Sequence, residues 1–280
     1  MSLCRRFDGE LVSADSVQVY RRFDIGSAKP TLAERAAVPH HLVDVFDPLE
    51  AVDVARFVQL ARACIDDITA RGKRPILCGG TFLWVRGLVY GLAEAPAADE
   101  NIRARHRSEA EQHGRPWLHA RLLEVDPASH ARLAPNDLVR VSRALEVYEL
   151  TGKPLSALQA EHGFRSAAYD VRFIGVRHER ARLAERIEQR VAHMFESGWL
   201  EEVRGLLRDG YGEARALRSV GYRQVAEALA SGAEIDRAAL AARVSQATRV
   251  FVRRQLTWLR EEPVRWIEPE AIDEVDPLGG

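Results

Sequence analysis

Short apolar, β-prone runs at residues 10–14, 41–46 and 74–78 alternate along the chain with stretches whose apolar residues recur at helical spacing. Further runs stand at 171–176 and, more weakly, at 264–267. This alternation predicts an α/β core. The clearest helix has Asp53 as N-cap. Val54, Phe57, Ala61, Cys64, Ile65 and Ile68 share one face, and Gly72 ends it. Between about residues 95 and 169 the β signal vanishes and helical stretches take over, broken at Asp126-Pro127 and Pro135-Asn136-Asp137 and stopped at Gly152-Lys153-Pro154. After the run at 171–176 come three or four more helices, the last from about 236 to 260.

Ligands of open α/β sheets sit beyond the carboxyl ends of the strands, which directs attention to Asp15-Ser16 and to Gly79-Gly80-Thr81. Asp15 can face a nucleophile as a general base or cap the next turn of chain; its position alone permits both. Gly79-Gly80 permits a tight turn or a close approach of backbone to a ligand.

Charge matters locally. The 280 residues contain 40 Lys+Arg against 41 Asp+Glu, so net charge announces no polyanionic partner. Arg182, Arg186, Arg190 and His193, however, fall in a helical stripe about 80° wide, beside a face of Leu183, Ile187, Val191 and Met194. Such a stripe is either a solvated surface or an anion site. Arg249, Arg253 and Arg260 lie within about 40° of one another on the last helix. Trp258, at helical spacing from Phe251 and beside Leu259, reads as core. His40-His41 reads as structural, and Cys4, Cys64 and Cys78 have no metal-ligand spacing and suit reduced thiols. No signal-peptide pattern and no membrane-length apolar run occurs, so the expectation is a soluble cytoplasmic protein without membrane association.

Asp15-Ser16-Val17-Gln18-Val19-Tyr20 and Asp24-Ile25-Gly26-Ser27-Ala28-Lys29-Pro30 together resemble the tRNA dimethylallyltransferase family, and the resemblance extends from about residue 7 to 260. It implies a P-loop-NTPase-like parallel sheet flanked by helices, with a core of residues 1–95 and 165–280 and a helical insertion domain, 96–164, that contacts tRNA. It implies transfer of a dimethylallyl group from its diphosphate to N6 of the adenosine 3′ to the anticodon, in tRNAs reading codons that begin with U. The partners are the tRNA anticodon stem-loop and dimethylallyl diphosphate, with Mg²⁺ as cofactor, and the protein is expected to be a monomer. By the same resemblance Asp15 receives a proton or hydrogen bond from the adenine amine, and Arg190, closing Arg186-Ile187-Glu188-Gln189-Arg190, contacts the diphosphate. The implied tRNA contacts are Asp15, Ser16, Val17, Gln18, Thr81, Arg103, Arg140 and Arg143, then Arg218, Gly221, Tyr222 and Arg223, and finally Arg253, Arg254, Gln255 and Arg260.

One part of the family pattern is missing. No G-x-x-x-x-G-K-[ST] loop occurs anywhere in the 280 residues, so the Lys and Ser/Thr that would hold diphosphate and metal have no counterpart, and the metal ligands are unknown. Residues 1–7 look like the latter part of the helix that follows that loop. The expectation is therefore that in-frame codons upstream encode a first strand and the loop, that residues 10–14 lie beside that strand, and that the 280-residue form alone does not transfer. An adenylate isopentenyltransferase and a non-catalytic tRNA-binding remnant are the alternatives.

Overall fold

The computed structural model describes residues 1–164 and 167–275. The chain forms two compact units, one from Met1–Leu88 with the chain from Asp170 onward, the other from Val89–Tyr169. The second is somewhat wider than the expected 96–164.

The first unit opens with α1 (Ser2–Arg6), β1 (Gly9–Ser13), α2 (Leu32–Ala37), β2 (His40–His41), α3 (Val54–Ala70), β3 (Arg74–Cys78) and all but the last two residues of α4 (Phe82–Tyr90). The second contains α5 (Glu100–His113), α6 (Arg115–Ala120), α7 (Leu122–Val125), α8 (Pro127–Arg132), α9 (Leu138–Thr151) and α10 (Leu155–His162). The first then resumes with β4 (Phe173–Val176), α11 (Arg180–Glu196), α12 (Trp199–Arg208), α13 (Tyr222–Ala230), α14 (Arg237–Leu259) and β5 (Val264–Ile267). The fold is thus a parallel α/β core with a helical unit between its two halves.

Local signals account for much of this. Asp53 caps α3 by accepting from the Arg56 N–H, and Phe57, Val58, Ala61 and Ile68 are its buried face. Asp236 caps α14 in the same way. Strands order as β2-β1-β3, all parallel, with Leu11 opposite both His40 and Ile76; β4 and β5 form a separate parallel pair. Both edges of β1 are thus taken, which overturns the expectation that residues 10–14 lie beside an upstream strand. The run 41–46 is also corrected, since only His40–His41 is strand. Leu42 and Asp44 have φ of 61° and 58°, so the chain kinks where its apolar residues suggested extension. Leu42, Val43 and Phe46 are buried all the same; their pattern reflects packing and not a ladder.

Glu10 is a charged residue on a fully buried strand, 3% exposed. Its carboxylate accepts from Arg71 Nη1 and, at 2.8 Å, Nη2, and lies 2.7 Å from His41 Nε2. His41 thus has a structural role, its carboxylate partner coming from the neighbouring strand. The Arg71 hydrogen bonds, working against burial and aided by His41, pull the Glu10 carboxyl from 4.5 to about 2. A depressed carboxylate stabilises the fold above its unfolded value, and that contribution fades as pH falls from about 5 toward 2. Glu10→Gln is therefore expected to lower the melting temperature by about 3–6 °C at pH 7, and thermal scans should show the gap to the parent protein closing below pH 4.5. A gap that persists at pH 2 would assign the effect to packing.

In the second unit Ala110, Leu118, Leu122, Leu133, Val141, Ala144 and Leu145 form the core. Asp126, fully buried, caps α8 through the Ser129 N–H and accepts from Ser156 on α10. Glu146, also fully buried, accepts from Arg103 (3.0 and 2.9 Å), Arg143 (2.6 Å) and the Asp99 N–H (2.6 Å). Burial pushes this carboxyl up, but the Arg103 and Arg143 bonds override it and hold it below the ordinary range.

Candidate active site

The ends of β1 and β3 converge. The Ala14 N–H donates to Cys78 O (2.8 Å), and the Thr81 N–H donates back to Ala14 O (3.1 Å). Ser16 N–H donates to Thr81 Oγ1 (3.1 Å), whose hydroxyl donates to Ser16 Oγ (3.2 Å). Asp15 Oδ1 accepts from Val17 N–H (2.8 Å) and Gln18 N–H (3.1 Å), so one oxygen caps the turn. No protein donor reaches its other oxygen among the described residues. Capping and base roles thus coexist on one carboxylate. Neither Gly79 nor Gly80 has a left-handed φ, so the need for glycine here comes from close approach and not from backbone conformation. A Cβ on Gly79 would stand 2.3 Å from Ala14 O, and one on Gly80 2.1 Å from Gln255 Nε2. The glycines admit neighbouring protein, with Gln255 donating to Gly80 O at 3.1 Å.

These strand ends form one side of a cleft of about 960 Å³. Helices α11 and α14, packed together, supply another through Leu183, Arg186, Ile187 and Arg190, and Phe251 and Arg254. The cationic stripe accordingly divides. Arg182 pairs with Glu270 on the surface (3.3 Å), while Arg186 and Arg190 line the cleft, and Ile187, Val191 and Met194 are buried behind them. Arg190 is open to solvent along the cleft but enclosed by its walls. That enclosure lowers its pKa, opposed by the Asp15 charge, so the two groups feel one another across the same space. No carboxylate forms an ion pair with Arg190 among the described residues.

A further wall consists of Gly26, Ser27, Trp199 and Gly221. Gln18 Nε2 donates to Ser27 O (3.1 Å) and Ala28 O (3.2 Å), so this amide holds a loop. Lys29, nearly buried, donates to Tyr20 O (2.8 Å), Asp24 (2.6 Å) and Asp44 (2.5 Å), which makes it an internal strut. Tyr222 is fully buried and donates its hydroxyl to Glu202 (2.5 Å), so its side chain belongs to the interior and not to an RNA-facing surface. Gly221 has φ of 89°, and a Cβ there would lie 2.5 Å from Trp199.

Of the other residues singled out in the sequence, Arg218 and Arg254 line the cleft and the rest do not. Arg218 and Arg223 are exposed, in weak pairs with Glu213 and Glu227. Arg249 pairs with Glu188, which shortens the cationic row on α14. Arg253, Arg254 and Arg260 have no carboxylate partner among the described residues. Trp258 is 43% exposed, contrary to its reading as core. The buried residues of α14 are Leu240, Val244 and Ser245, in its first half, and beyond them Phe251 and Trp258 face outward with Arg86 over the Trp258 ring at 5.7 Å. Within the second unit, Arg140 is exposed and paired to Asp137, whereas Arg103 and Arg143 are committed to Glu146. Sequence reasoning missed Trp199, Glu202 and His178, the last lining the cleft with a buried Nδ1 that has no hydrogen-bond partner among the described residues. The signal available for Trp199 was its two glycine neighbours, which only the fold brings together.

The IPP transferase family profile matches residues 18–262. The chain belongs to the IPP transferase family. It is 59% identical over 265 residues to a tRNA dimethylallyltransferase of Sorangium cellulosum, a match covering 95% of this chain and 84% of that one. A tRNA dimethylallyltransferase of Anaeromyxobacter dehalogenans is 48% identical, with 96% and 89% covered. Among solved IPP transferase structures, the tRNA isopentenylpyrophosphate transferase of Bacillus halodurans superposes with a TM-score of 0.67 at 35% identity, covering 95% of this chain and 83% of that one. A eukaryotic dimethylallyltransferase acting on tRNA gives 0.77 at 25% identity, covering 95% and 69%. No helix among the described residues of this family member is long and apolar enough to cross a membrane.

Proposed function

We propose that this chain transfers a dimethylallyl group from dimethylallyl diphosphate to N6 of the adenosine 3′ to the anticodon, in tRNAs reading codons that begin with U. The observation that carries the reading is the pairing, in one cleft, of a carboxylate oxygen without a protein donor on Asp15 and a guanidinium without an ion-pair partner on Arg190. An aromatic amine is a weak nucleophile, and Asp15 takes its proton as the bond from N6 to carbon forms. The bond from that carbon to the diphosphate oxygen breaks, and Arg190 receives the charge left on the leaving group. The adenine leaves the anticodon-loop stack to reach this cleft.

Mg²⁺ belongs to this proposal as a partner of the diphosphate only. Among the described residues Asp15 is the one carboxylate lining the cleft and no group of three or more candidate ligands is assembled, so the residues present offer no protein cage for Mg²⁺, which would be held chiefly by diphosphate oxygens and water.

The test is incubation of the 280-residue protein, and of any longer in-frame form its gene encodes, with labelled dimethylallyl diphosphate and either tRNA or AMP. Label on N6 of the tRNA adenosine is expected. Label on AMP alone would make the enzyme an adenylate isopentenyltransferase, and tRNA binding without transfer a binding remnant. Arg253→Ala is expected to weaken tRNA binding and to flatten its log-log salt dependence by about one unit, since a free surface guanidinium is lost from a phosphate contact. Filter binding across a salt series checks this, and an unchanged slope removes Arg253 from the RNA surface.

A further inference from the structure

One carboxylate ties together two segments of the cleft wall that are remote in sequence. Glu202, on α12, accepts at Oε2 from the backbone N–H groups of Asp24 (2.9 Å) and Ile25 (2.6 Å). Its Oε1 accepts from the Gly26 N–H (3.4 Å) and from the Tyr222 hydroxyl (2.5 Å). Three successive amides of the loop and one phenol of α13 therefore converge on a single side chain. Trp199, one turn earlier on α12, fills the space between the two segments. A Cβ on Gly26 would stand 2.0 Å from its Nε1, and one on Gly221 would stand 2.5 Å from its ring. The Trp199 and Tyr222 rings meet edge to face at 5.5 Å, and Tyr222 meets Phe23 at 4.9 Å.

We propose that Glu202 is a positioning residue, whose carboxylate fixes the loop 24–26 and the Gly221-Tyr222 turn against Trp199 and so sets the cleft wall that shares its space with Asp15 and Arg190. Only an ionised carboxylate offers acceptors alone in both directions. A glutamine keeps the size but turns an NH₂ group toward N–H or O–H donors, so at least one arm must open. Opening either arm releases Gly26 or Gly221 from the indole, and small errors in the placement of a reacting group are costly in rate. Substrate affinity, supplied by guanidinium groups elsewhere in the cleft and on α14, is left largely in place.

The experiment compares Glu202→Gln and Tyr222→Phe with the parent protein by hydrogen-exchange mass spectrometry and by steady-state kinetics, at a temperature where each is folded by circular dichroism. Glu202→Gln is expected to speed exchange in the peptide covering 23–28 and to reduce kcat by roughly tenfold to a hundredfold, with KM for tRNA and for the prenyl diphosphate little changed. Tyr222→Phe, which leaves the three amide bonds intact, should keep 23–28 protected and lose less activity. Unchanged exchange at 23–28 in Glu202→Gln overturns the proposal. So does an unchanged kcat, or a loss of exchange protection spread evenly over the whole chain. The kinetic arm rests on the prenyl-transfer reading and the exchange arm does not: a parent protein that transfers nothing sinks that reading, while exchange at 23–28 still judges whether Glu202 fixes the loop.

Discussion

Asp15→Asn is expected to reduce dimethylallyl transfer by about 10²–10⁴ while leaving tRNA affinity nearly unchanged. The asparagine carbonyl can still accept from Val17 and Gln18, as Asp15 Oδ1 does, so the turn after β1 should persist. What disappears is the negative oxygen that has no protein donor, on the one carboxylate among the described residues lining the cleft, which is the group placed to take a proton from the adenine amine. Removing it also withdraws the charge that Arg190 feels across the cleft. Single-turnover transfer with saturating tRNA, alongside filter binding, separates the two effects. Turnover like that of the parent protein would return Asp15 to the role of a turn cap.

Arg190→Ala is the second large effect. The guanidinium is partly desolvated by the cleft walls, which strengthens its interaction with any anion it meets. Charge on the diphosphate grows as the carbon–oxygen bond breaks, so the contact tightens in the transition state. The expected result is a fall of about 10²–10³ in kcat/KM for the prenyl diphosphate, shared between a lower kcat and a higher KM. Lysine should rescue poorly, since a point charge cannot make paired hydrogen bonds to a diphosphate. If the substitution changed tRNA binding alone, Arg190 would belong with the RNA-facing cations.

What was legible in the chain was whatever is decided locally. Asp53 announced α3 because a cap bonds to amides two or three residues away. The strands at 74–78 and 10–14, and with them the convergence of Asp15 with Thr81, followed from apolar runs and the rule that sites lie at strand ends. Partners far along the sequence were not legible. Arg103 and Arg143 resemble the family's RNA contacts, yet both point their charge at Glu146, a buried partner that only folding supplies. Glu202 gave no sign at all, because its partners are backbone amides of residues 24–26 and a phenol on another helix. Trp258 misled for the opposite reason: helical spacing with Phe251 shows that two residues share a face but not whether anything covers it.

The parallel arrangement of β1 with β3 also bears on how this protein is made. One edge of Gly9–Ser13 meets Pro39–His41 first, but the N–H and C=O groups of its other edge find their partners in Arg74–Cys78 only after about sixty further residues have been synthesised, and at ordinary elongation rates that wait lasts on the order of several seconds. The pair β4 and β5 waits longer still, with Phe173 meeting Val264 near the far end of the chain. Neither sheet contains a hairpin that could form early and shelter the other strands. A nascent chain stalled between residues 13 and 74 therefore presents an apolar strand with at least one open edge to whatever is nearby, so slower translation through that interval should increase its capture by chaperones.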